Sequence, residues 1–131
     1  MKLLEVLKAK EPLARLMDKN FTNYKVLRDL VKLQKAITAE VEFYTAQEKK
    51  NIALYAETDD KGQPVVLADG RLKLKDVSAK LAFETEIAKL HDTEVDGITA
   101  ITIYESDFKS SAEYPKPSEM VMLEPIIKFE G

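Results

Sequence analysis

From Leu27 onward, the positions reached by alternating steps of three and four are Leu27, Leu30, Gln34, Ile37, Val41, Tyr44, Glu48, Asn51 and Tyr55. Six of these nine are apolar, which marks the seam of a helix that packs lengthwise on a partner. No glycine or proline falls between Thr22 and Glu57, so the pattern predicts one long helix over 22–57. Such a rod is on the order of 50 Å long at about 1.5 Å per residue. Thr22 or Asn23 supplies its cap, and Asp59-Asp60-Lys61-Gly62-Gln63-Pro64 ends it. Glu48 is a charged member of the seam. Two readings of it have equal weight: with Gln34 and Asn51 it sets register or oligomer state, or the helix bends and the seam drifts to Ile52.

The flanking patterns are shorter. Leu13, Leu16 and Met17 suggest a helix over 11–18 with Pro12 in its first turn, preceded by a short strand or helical turn over 2–9. Val65 to Lys75 alternates around Asp69-Gly70, which predicts a β-hairpin over 64–75. A two-residue turn there pairs Leu67 with Leu72 and Val65 with Leu74. A helix over 76–95 follows, capped by Asp76 or Ser78, with Phe83, Ile87 and Leu90 on one face. The β-branched run Ile98 to Tyr104 predicts a strand over 98–104. Residues 106–117 form a polar loop, 117–124 a short helix, and Ile126 to Glu130 a tail apolar enough to dock. No internal repeat is visible. The fold expected is α+β in one domain spanning 1–131: a long helix antiparallel to shorter helices, with a small hairpin and one further strand.

Charge and composition narrow the chemistry. The 131 residues carry 20 basic and 23 acidic side chains, a net charge of −3, without the basic excess that nucleic-acid binding needs. Cysteine is absent, so neither a disulfide framework nor a thiolate site is available. The N-terminal apolar run is broken at once by Glu5 and Lys8, which predicts no signal peptide and no membrane span. A soluble intracellular product is expected.

His91 is the single histidine, with Asp92, Glu94 and Asp96 nearby. A metal site or acid–base pair is conceivable there, but no second histidine or cysteine completes a zinc set. A histidine near a helix C-terminus is accounted for by the dipole. Phosphate loops and Ser–His–Asp arrangements are absent. No catalytic residue, metal ligand or cofactor is assigned. The aromatic residues and Met120 and Met122 suit a core or a protein-binding surface.

Several stretches together carry a resemblance. They are Val-Leu-Lys-Ala-Lys-Glu-Pro-Leu-Ala-Arg-Leu at 6–16, Gln47-Glu48-Lys49-Lys50-Asn51-Ile52 with Tyr55, the Lys61-Gly62 turn, Leu90-His91-Asp92-Thr93-Glu94-Val95, and Pro117 to Ile127. In this order they resemble a widespread group of small proteins encoded by tailed bacteriophages and prophages, a group without an assigned activity. The resemblance covers nearly the whole chain. It implies a phage origin and a place in the infected host's cytoplasm or in the virion, and it carries no catalytic or ligand residue.

The expected function is therefore non-catalytic protein–protein interaction, in particle or tail assembly, with self-association through Leu30, Gln34, Ile37, Val41, Tyr44, Glu48, Asn51 and Tyr55. The alternative is inhibition of a host defence system, by binding a defence enzyme or sequestering its nucleotide signal. A metal-dependent enzyme around His91 is a third, weaker reading.

Overall fold

The computed structural model describes residues 1–131. Its elements in chain order are α1 (Leu3–Met17), α2 (Tyr24–Tyr55), α3 (Val77–His91), β1 (Ile101–Tyr104), α4 (Pro117–Leu123) and β2 (Ile127–Glu130). The fold is α+β, with a long helix on shorter ones. The chain divides into two compact units, one of residues 1–41 with 94–131 and one of residues 42–93.

The first unit holds nearly all of the core. Its α1 is a single helix in which Pro12 sits mid-course, where a strand or turn followed by a helix over 11–18 was expected. Pro12 removes one backbone bond, a cost of about 3 kcal/mol in an ordinary helix interior. Leu3, Val6, Ala9, Pro12, Leu13 and Leu16 offset it by burying one continuous face. At the N-terminus the Glu5 carboxylate accepts from the Lys2 N–H at 2.9 Å. From α2, Val26, Leu30, Leu33 and Ile37 are buried.

Two short strands complete this unit. β1 and β2 pair in parallel, Ile101 opposite Ile127 and Ile103 opposite Phe129, with α4 in the connection between them, as parallel pairing requires. The predicted strand over 98–104 is thus confined to four residues, and its partner is the C-terminal tail. Ile103 and Ile127 are buried. α4 lies on α1, where the Glu119 carboxylate accepts from the Arg15 guanidinium.

The segment read as a polar loop over 106–117 is instead stitched into this core. Phe21 faces Phe108 at 4.9 Å, and Phe108 meets Tyr114 edge-on at 5.2 Å. Asp107 is buried and accepts from Asn23 Nδ2 at 3.1 Å and the Tyr104 N–H at 2.9 Å. Asn23 Oδ1 in turn accepts from the Lys25 N–H at 3.0 Å and so caps α2.

The second unit consists of α2 from residue 42, α3 and the chain between them. α3 starts at an Asp76 cap that accepts from the Ala79 N–H at 2.7 Å and stops at His91 rather than running to 95. Lys75 N–H donates to the Tyr55 carbonyl at one end, and Tyr44 stacks on His91 toward the other, at 5.5 Å. These two contacts fix the helices as antiparallel.

The predicted hairpin over 64–75 does not form a ladder; the strands of the fold are the parallel pair. No non-glycine residue has positive φ, whereas a two-residue type I′ turn at Asp69-Gly70 needs it at both positions. Only Gly70 supplies it, at φ 85°. The loop is therefore one residue longer. Gly70 N–H donates to the Leu67 carbonyl at 2.9 Å, and Leu67 N–H donates to the Arg71 carbonyl at 2.7 Å, a type I turn followed by a glycine bulge. The register slips by one, so Val66 rather than Leu67 opposes Leu72, and Val66 and Leu67 turn outward.

The preceding turn repeats this geometry. Gly62 N–H donates to the Asp59 carbonyl at 3.0 Å and Asp59 N–H to the Gln63 carbonyl at 2.8 Å, with Gly62 at φ 76°. The bridges Thr58–Pro64, Val66–Leu72 and Ala56–Leu74 then follow at equal intervals. At their centre the Glu57 N–H donates to the Lys73 carbonyl at 2.8 Å, Lys73 to Val65 at 2.9 Å and Val65 to Glu57 at 2.8 Å. This closed three-membered ring of backbone bonds gives the tip a pseudo-threefold form. The side chains do not share the repeat.

Candidate interaction surface

The predicted seam divides at the boundary between the units. Leu30 and Ile37 are buried, Val41 is half-buried and Gln34 is exposed. Leu33 takes the buried place instead, because the stripe runs through 26, 30, 33 and 37 in steps of four, three and four. In this half the seam serves the chain's own core.

In the second unit the stripe is Tyr44, Gln47, Glu48, Asn51, Ile52 and Tyr55, all half-buried. Ala79, Ala82, Phe83, Glu86, Ile87, Leu90 and His91 of α3 are half-buried at the same helical spacing. Glu48 and Ile52 thus belong to one broad face. Tyr44 is its most constrained member. Its hydroxyl donates to Glu48 Oε2 at 2.7 Å while its ring stacks on the imidazole of His91. Burial and the adjacent carboxylate push the phenol up to about 12. The sequence placed Tyr44 and Glu48 on one face, one turn apart; their meeting with His91 needed the antiparallel return of α3.

His91 lies in the last turn of α3, as expected for a histidine at a helix C-terminus. No group of three or more histidine, cysteine, aspartate or glutamate side chains is arranged to hold a metal ion. No helix is long and apolar enough to cross a membrane. No protein-family model matches the chain, and neither a curated protein nor a solved structure is significantly similar to it.

The distribution of buried and exposed apolar residues is the strongest signal. Among the buried hydrophobic residues only Ala56 belongs to the second unit. Phe43, Leu54, Val66, Leu67, Val77 and Leu81 of the same unit are exposed, Leu54 at 62% and Val77 at 76%. On the first unit a largely apolar depression of about 710 Å³ lies between α1 and α4, lined by Leu7, Pro12, Val121, Met122 and Pro125 together with charged side chains that include Lys8, Glu11 and Arg15.

Proposed function

We propose that the chain is a phage-encoded protein that works without catalysis, by binding other proteins in particle or tail assembly, and that the second unit is its binding arm. One observation carries this reading. A unit of about fifty residues is near the lower limit for a self-sufficient core, yet this one buries a single small hydrophobic residue and leaves six large ones exposed. Helices held by half-buried stripes, with apolar side chains facing water, are arranged to gain burial from a partner. The resemblance of the motif order to the phage group supports the origin.

The test is capture of tagged chain from phage-infected cells, with retained proteins identified by mass spectrometry, for the parent and for Leu54→Ser with Leu81→Ser. Head, tail or baseplate proteins retained by the parent and lost by the variant are the expected result. Retention of a host nuclease or a nucleotide would replace assembly by inhibition of host defence. Equal retention by parent and variant would remove the arm from the account.

A further inference from the structure

Along α2 within the second unit, Glu42, Phe43, Ala46, Lys49, Lys50 and Ala53 are all exposed, Phe43 at 46%. Their three–four spacing puts them on one face, away from the stripe shared with α3. The charges on this face have no opposite within their own helix. Positions three and four away from Glu42 are Thr38, Ala39, Thr45 and Ala46; those around Lys50 are Ala46, Gln47, Ala53 and Leu54. Neither Glu42 nor the two lysines make an ion pair in the folded chain. The face is acidic at one end, basic at the other, and small at its centre.

We propose that two copies of the chain pair antiparallel through this face, about a two-fold axis at Ala46. Reversal about Ala46 brings Glu42 of one copy beside Lys50 of the second, and Phe43 beneath Lys49 of the second, each contact made twice. The lysine stem and ammonium cover the aromatic ring, and the alanine at the axis lets the helices approach to about 8 Å. A parallel pair would set glutamate against glutamate and lysine against lysine. Self-complementarity under reversal is the signature of an isologous interface, and it selects a second copy over an unrelated protein. The pairing rests on the reading above only in taking the second unit as a docking surface. A monomeric chain that still captures virion proteins defeats the pairing alone, whereas a dimer that captures nothing defeats the assembly reading alone.

The experiment combines sedimentation of the full chain with directed crosslinking. Glu42→Lys and Lys50→Glu are each expected to weaken self-association about tenfold, since each sets like charges together twice, and the double exchange is expected to restore it. Because the chain has no cysteine, Ala46→Cys adds the only thiol. Mild oxidation should yield a covalent dimer for Ala46→Cys and not for Ala53→Cys, which lies away from the axis. A chain monomeric at every concentration, a double exchange that fails to restore association, or equal crosslinking at both positions overturns the proposal.

Discussion

The phenol of Tyr44 has a single acceptor, the Glu48 carboxylate, and partial burial first, then the hydrogen bond to that carboxylate and its charge, favour the neutral form. Its folded pKa of about 12 lies above the ordinary value of 10.0. The stabilisation is therefore fully present below pH 10, declines as the unfolded chain ionises, and is lost as pH rises through about 12. Glu48→Gln should lower the pKa of this one tyrosine toward the ordinary value. Ultraviolet titration of phenolate in the parent and variant, with Tyr44→Phe to assign the signal, checks it; an unchanged titration would mean the hydrogen bond is not maintained in solution. The His91 stacking partner was present in the sequence only as a lone histidine near a helix end. Its meeting with Tyr44 depends on the register of the antiparallel return of α3, which the side chains did not disclose.

The helices α2 and α3 were legible because their signal is long and redundant, whereas Pro12 hid the first half of α1. The seam, with its Thr22 or Asn23 cap and the stop beginning at Asp59, located α2 within two residues at either end, and Asp76 marked the start of α3. What failed was phase and pairing. A strict three–four alternation assigns Gln34 to the seam, but Leu33 occupies it. Ile37→Ala should cost about 2–5 kcal/mol, and Gln34→Ala should stay within about 0.5 kcal/mol. Urea unfolding of both variants separates the two registers. At the tip, Gly70 needs positive φ, as Gly62 does in the preceding turn, so Gly70→Ala should cost about 1–3 kcal/mol by backbone strain, although a methyl group there meets no neighbour. A melting curve that matches the parent would contradict the bulged turn. The strand β2 was hidden for another reason: four residues at a chain end carry too little alternation to distinguish a strand from a docked tail.

At the scale of the molecule, the two units are stabilised in different ways. The first combines a continuous apolar core with polar links, such as Asn20 to Glu113 at 3.0 and 3.1 Å and Arg15 to Glu119. The Arg15 guanidinium holds the Glu119 carboxyl below the usual carboxylate range. That contribution is present above the ordinary carboxylate pKa and is lost as pH falls through the depressed folded value. The parent should therefore lose more stability on acidification than Glu119→Gln, measured by urea midpoints across the acid range; parallel losses would assign the link no role. Charge balance spoke only against a nucleic-acid partner, and the exposure of apolar residues in the second unit became visible only when each residue was placed.

The backbone ring at the tip also separates what the second unit must keep from what it is free to change. Glu57 and Lys73 adjoin the end of α2 and the beginning of α3, and the bond between them clasps the two helices directly. The two glycine-turned lobes, 58–64 and 66–72, project from that clasp and bury no residue of their own. Outside Gly62 and Gly70, their sequences can therefore change without disturbing the helical scaffold that presents them.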